Sequence, residues 1–273
     1  MASKATDASG RSTWLTALTA VEANQVLVRG YPIDELMGRV SFGDALYLLL
    51  TSELPSPSIS RLLNALLTGF IDYGVTPPGT LAARQAVTTG ATLQGAVVAG
   101  ILGSGAHAAS GIARCRVLLE QGLDLAGSSM LMASAATEMV EELVQTDRIP
   151  PPGFGRQVHT ADPRVTRLLQ MALELEVDAL YTQYLRALEH ALSRHPALED
   201  QPLPINLDGA IAALCGDLGL APGVAEALLL IARVPGLVAH AIEERERQQP
   251  LRTIDPAAHQ YDGPAERRLR DRR

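Results

Sequence analysis

The 273-residue sequence predicts an all-helical protein. Three observations carry that expectation. The chain is 47% hydrophobic but only 4% aromatic, with Ala, Leu and Val supplying the apolar content, a composition suited to packed helices. Apolar residues recur at helical spacing wherever a period is readable. No segment alternates as a strand convincingly. A chain of this length buries a substantial core, as one large domain or two smaller ones.

Taken in order, Phe42 to Leu54 reads as a buried helix stopped by Pro55 and Pro57. Ser58 to Tyr73 is amphipathic, with Ile59, Leu62, Leu63, Leu66 and Phe70 on one stripe. The stretch from Gln85 to Ala113 contains no Asp, Glu, Lys or Arg and is long enough to span a bilayer. Its many glycines, with Thr88, Thr89, Gln94 and His107, suit a central helix of a soluble core better than a lone span. Val165 to Ser193 forms the longest periodic run, apolar at Leu168, Leu169, Ala172, Leu175, Ala179 and Leu188 and charged at Arg167, Glu174, Asp178 and Arg186. Val224 to Arg247 is a further helix, which Pro235 should kink.

The formal net charge of −7 confines any nucleic-acid role to a local basic face, and only the tail Arg267, Arg268, Arg270, Arg272, Arg273 qualifies. It reads as a solvated tail. Cys115 and Cys215 lack metal-ligand spacing, so no metal is expected, and a reducing, cytoplasmic setting fits. No signal peptide is evident in the sequence.

Four features offer chemistry. His107 stands in an uncharged, glycine-rich stretch, where a structural hydrogen bond is the plainer alternative. Asp208 follows a double-proline break and opens a helix, so it is either an acid–base group or a helix cap. Arg233 lies in an apolar run and requires a carboxylate partner from protein or ligand. Arg156 and Arg164 flank the polar loop after Pro150-Pro151-Pro152. Arginines, one acid and one His on distant segments would suit a multiply anionic substrate. No GxGxxG, Walker loop, HExxH or Gly-x-Ser-x-Gly is present.

Four blocks in order resemble the citrate synthase superfamily, including its short citryl-CoA lyases and the C-terminal part of ATP citrate lyase. They are Arg29-Gly-Tyr-Pro-Ile-Asp-Glu-Leu36 with Ala45 to Pro55, then Pro152-Gly-Phe-Gly155 with Asp162-Pro-Arg164. Asn206-Leu-Asp-Gly209 and Arg233-Val-Pro-Gly-Leu-Val-Ala-His240 with Glu243 complete the set. The resemblance implies a large helical domain, residues 1–106 and 217–273, with a smaller one, 107–216, inserted. It implies a homodimer, no permanently bound cofactor, and a coenzyme A thioester as substrate. Neither nucleic acid nor membrane is an expected partner.

By position, Asp208 matches the carboxylate that exchanges the acyl-CoA α-proton, and His107 the group that hydrogen-bonds the thioester oxygen as the enol forms. Arg164 and Arg233 match arginines holding substrate carboxylates. Arg252 matches a third, which in the family reaches into the partner's site. Pro152, Gly153, Phe154 and Gly155 match the segment around the adenine end of CoA. Two positions depart from the pattern: Arg156 and Tyr73 replace histidines that normally contact the acceptor. A guanidinium can polarise a carbonyl but not accept a proton. The acceptor, and with it turnover of citryl-CoA, is therefore expected to differ from the family's. The expected activity is carbon–carbon cleavage or formation beside a CoA thioester, with cleavage favoured by the short chain. Synthase-direction condensation and a silent CoA-binding paralogue are the alternatives.

Overall fold

The computed structural model describes residues 14–127, 131–155 and 161–267, without the side chains of residues 106–110. The fold is all-α, and the chain divides into two compact units. The first comprises the chain up to Asp72 and Gly105–Val234. The second comprises Tyr73–Ser104 and the chain from Pro235 onward.

The first unit opens with an antiparallel meander that the sequence reading did not anticipate: β1 (Thr19–Glu22), β2 (Gln25–Val28) and β3 (Tyr31–Pro32), in the order β1-β2-β3. These strands are short and largely exposed, so no inward–outward alternation marks them. Their signal lies in the turns. Asn24 has φ 62°, and Arg29 and Gly30 have φ 48° and 87°, the left-handed pair that suits a two-residue hairpin. The Arg29 guanidinium donates to the Leu49 carbonyl at 2.7 Å from Nη2, tying the hairpin to the next helices.

A single turn, α1 (Ile33–Leu36), precedes α2 (Phe42–Thr51), which starts at a Ser41/Asp44 capping box and ends at a left-handed Ser52. It stops before the prolines. Helix α3 (Pro57–Gly69) buries Leu62, Leu63 and Leu66, with Phe70 beyond its end, as the amphipathic stripe predicts.

The uncharged stretch is not one helix. Helix α4 (Pro78–Thr88) ends within it, Gly90 turns the chain at φ 88°, and α5 (Leu93–Ala126) begins. Helix α5 itself breaks at Gly105, whose φ 58° and ψ 173° lie in a region open to glycine alone. Residues 93–104 belong to the second unit and 105–126 to the first.

Helix α6 (Met132–Gln145) is followed by α7 (Pro163–Glu174) and α8 (Leu180–Arg194). The sequence reads these last two as one run because their apolar period continues across the break. Glu176 takes φ 56° there. Asp217, ending α9 (Leu207–Asp217), accepts from the backbone amides of Ala179, Tyr181 and Thr182 at 3.1, 2.8 and 3.0 Å. A carboxylate from a distant helix thus caps α8, a contact without a local sequence signal.

Helix α10 (Pro222–Arg247) contains Pro235, and the unit boundary falls between Val234 and Pro235. By length and apolar content it is the one described helix that would suffice to cross a membrane. It buries Leu228 and Ala232 in the first unit and Leu237 and Ala241 in the second. In the second unit the small residues permit close approach, as expected of them: a Cβ on Gly79 would stand 2.7 Å from the Gly100 carbonyl oxygen.

Candidate active site

Helix α9 begins where three segments of the first unit converge. Asn206 is its N-cap, the side chain accepting from the Gly209 amide at 3.1 Å. That assignment removes the capping alternative for Asp208, which sits in the first turn with its carboxyl available for other work. From Leu207 to Gly216 the helix is buried except for a partly exposed Asp208.

The segment Pro152–Gly155 is clasped to this helix start. The Asn206 amide donates to the Gly153 carbonyl at 3.0 Å, and the Gly155 amide to the Pro204 carbonyl at 2.9 Å. Asn206 Nδ2 donates to the Phe154 carbonyl at 3.2 Å, and Phe154 bridges Ile205 in antiparallel fashion. Contact is too close for side chains: a Cβ on Gly209 would meet the Gly153 oxygen at 2.3 Å, and one on Gly153 the Cys115 Sγ at 2.3 Å. Gly153 also takes φ 87°. The two motif blocks, some fifty residues apart in sequence, form one piece of backbone.

The third segment is the second half of α5. A Cβ on Gly111 would stand 2.2 Å from Asp208 Oδ2, so the carboxylate rests against bare backbone. His107 lies in the same helix one turn earlier. Its side chain is outside the described residues, as is Arg156. Burial raises the pKa of Asp208 above the ordinary aspartate range, and the Arg114 charge works against that rise. Burial and the nearby Asp208 charge push the Cys115 thiol up to about 12, which leaves it an unreactive packing group.

Other expected residues are placed less tightly. Arg164 begins α7 beside its N-cap Asp162, with Nε 3.0 Å from Oδ1 and Nη2 2.6 Å from Oδ2. Any substrate carboxylate reaching Arg164 shares it with Asp162. Arg233 is half-buried on α10 at the end of the first unit. Tyr73, half-buried, and Arg252 belong to the second unit. Arg252 Nε lies 3.4 Å from Glu244 Oε1. No group of His, Cys, Asp and Glu among the described residues could hold a metal ion.

The sequence reading missed Gly111 and Arg114. Both were findable, because 107, 111 and 114 follow a helical spacing, and Arg114 is the first charge after the uncharged stretch.

Residues 54–254 match the citrate synthase C-terminal domain family. The chain belongs to the citrate synthase family. A solved citryl-CoA lyase from Hydrogenobacter thermophilus is 31% identical, with a TM-score of 0.83 over 94% of this chain and 97% of that one. An ATP citrate lyase from Methanothrix soehngenii, solved with citrate and coenzyme A, is 19% identical with a TM-score of 0.76. The match covers 94% of this chain but 42% of that one. A citrate synthase from Pyrobaculum aerophilum, 22% identical with a TM-score of 0.64 over 83% of this chain and 54% of that one, shares the fold. No curated protein is matched.

Proposed function

We propose that this member of the citrate synthase family cleaves a carbon–carbon bond in a citryl-CoA-like thioester, releasing a shorter acyl-CoA and a keto acid. The observation that carries the reading is the seat of Asp208, a half-buried carboxyl with a raised pKa, pressed against Gly111 one turn from His107. The full-length similarity to a citryl-CoA lyase supports the same direction.

In cleavage the substrate hydroxyl passes its proton to a water or to a substrate carboxylate, since Arg156 cannot accept it, and the bond between the α- and β-carbons breaks. Its electron pair moves onto the thioester carbonyl, giving an enolate whose oxygen is stabilised by a hydrogen bond from His107. Asp208, protonated, then delivers its proton to the α-carbon and completes the methyl group of the released acyl-CoA. The raised pKa favours the protonated form that this step uses. Condensation is the same path reversed, with Asp208 as base. The loop Pro152–Gly155, fixed to α9, is assigned to CoA, and Arg164, Arg233 and Arg252 to substrate carboxylates. Arg156 and Tyr73 are assigned to the acceptor half, where Arg156 polarises the carbonyl. We also retain the domain division with 107–216 as the smaller domain, the homodimer, and a cytoplasmic setting.

The test is turnover of citryl-CoA, followed through released acyl-CoA and keto acid, beside a panel of 2-keto acids with acetyl-CoA in the reverse direction. Activity on a related carboxylate-bearing substrate with poor citryl-CoA cleavage is expected. Binding of CoA thioesters without turnover on any pair would instead establish the silent paralogue.

A further inference from the structure

The second unit contains an ion-pair chain that ends at Arg252, one of the arginines assigned to substrate carboxylates. Arg84 on α4 is 7% exposed, and Glu244 on α10 is 1% exposed. Arg84 Nη2 lies 2.6 Å from Glu244 Oε2, while its Nη1 lies 3.0 Å from Glu243 Oε2 and 3.2 Å from His240 Nδ1. The other Glu244 oxygen faces Arg252 Nε at 3.4 Å. A buried carboxylate is costly unless charges surround it, and here two guanidiniums do so, one buried and one whose side chain is 43% exposed. The outer arginine is therefore the exposed end of a chain whose inner end is buried.

The backbone of the same residue is fastened independently. Gln85 Nε2 donates to the Arg252 carbonyl at 3.0 Å, and the Leu251 amide donates to the Thr88 carbonyl at 2.8 Å, with Leu251 at φ 58°. The last turn of α4 thus anchors the main chain while the Glu244 carboxylate stands as an ion-pair partner 3.4 Å from the guanidinium Nε. With 43% of its side chain exposed, Arg252 still presents guanidinium donors to solvent, where a carboxylate can be received at two points.

We propose that Glu244 and Gln85 are positioning residues that hold Arg252 ready for a substrate carboxylate, Glu244 through the side chain and Gln85 through the backbone. The inference rests on the assignment of Arg252 to carboxylate binding. Arg84 neutralises the inner side of Glu244, so that Glu244 directs Arg252 without repelling an anionic substrate.

The experiment measures KM and kcat for the best thioester substrate of the full-length protein, for Arg252→Ala, Glu244→Gln, Gln85→Ala and the double variants with Arg252→Ala. Glu244→Gln and Gln85→Ala should each raise KM, Glu244→Gln by about tenfold, with a much smaller change in kcat. Each should add nothing once Arg252 is Ala, because a residue acting through Arg252 has nothing left to position. A KM unchanged in Glu244→Gln and Gln85→Ala but raised in Arg252→Ala overturns the positioning role and leaves the carboxylate assignment standing. Additive effects in the double variants overturn it too. An Arg252→Ala protein with unaltered KM removes both ideas together. Gln85 is exposed, so if Glu244→Gln, which removes one of the two carboxylates paired with buried Arg84, does not fold, Gln85→Ala decides alone.

Discussion

Asp208 Oδ2 occupies the place where a side chain at residue 111 would begin, 2.2 Å from an ideal Cβ on Gly111. The contact joins α9 to α5 through a glycine that has an ordinary helical φ, so its requirement is space rather than backbone freedom. Gly111→Ala should therefore leave the helix intact and displace the carboxylate, the end of a side chain that can rotate. A shift of about 1 Å at a proton-transfer group costs on the order of a hundredfold in rate. Far-ultraviolet circular dichroism and kcat/KM on the same sample check this, and a fully active, folded Gly111→Ala protein refutes it.

Arg114 supplies the charge that limits the rise in the Asp208 pKa. Removing it as Arg114→Gln should raise that pKa further. The limb of the pH–rate profile that reports Asp208 should then move to higher pH in the cleavage direction, where the acid form reacts. A limb that stays put, or moves to lower pH, shows that Arg114 does not act on this carboxyl.

The loop assigned to CoA should fail differently. A Cβ on Gly153 meets Cys115 Sγ at 2.3 Å and the Gly209 Cα at 2.9 Å, from a residue at φ 87°. Backbone stands on one side and a fully buried cysteine on the other, so neither yields easily. Gly153→Ala should cost about 3 kcal/mol from crowding and left-handed strain together. It should also loosen the Pro152–Gly155 segment from α9 and weaken CoA binding, seen by calorimetry with CoA alone. Gly153→Ala with wild-type stability to urea would show that the clasp is dispensable.

Much of this arrangement was legible in the sequence, and the rest was hidden for definable reasons. The apolar stripe of α3 and the long periods of α8 and α10 report burial directly, because one helix face alone meets the core. The blocks around Asp208 and Gly153 were readable as motifs. Their mutual contact was not, since it is made by backbone atoms and carries no side-chain pattern. The break between α7 and α8 was invisible because its cap, Asp217, lies 35 residues beyond Thr182 in the chain. The meander at Thr19–Pro32 escaped because three short strands with little buried surface impose no alternation, and only Asn24 and the Arg29-Gly30 pair record it.

The proposed homodimer has a candidate contact face on α5. Val98 and Leu102, four apart on α5, are 54% and 74% exposed in the single chain. A helix face of that kind is ordinarily covered. Light scattering should return twice the 29.0 kDa chain mass at micromolar concentration. If Arg252 serves the partner's site, mixing Arg252→Ala with Asp208→Asn subunits should restore part of the activity that each lacks alone. A monomer with full activity excludes that cross-subunit role.

The last prediction separates the catalytic use of Asp208 from any structural one. Burial raises its folded-state pKa above the unfolded value, so between the two values the native state binds more protons than the unfolded state. Stability from this group is fully present below the unfolded pKa and is lost as pH rises through the folded pKa. Above the folded pKa the ionised carboxylate is therefore a cost to the fold, only partly relieved by Arg114. Asp208→Asn removes that cost while keeping the shape of the protonated side chain, and Asn206 remains in place as the cap. The variant should melt at a higher temperature than wild type at pH 8, with the gap closing as the pH falls toward 4. Over the same range its turnover should be lower by on the order of a hundredfold or more, as for loss of a general acid–base. A residue kept for packing or capping gives the opposite pair of results: Asp208→Asn would be less stable at pH 8 and would retain its specific activity.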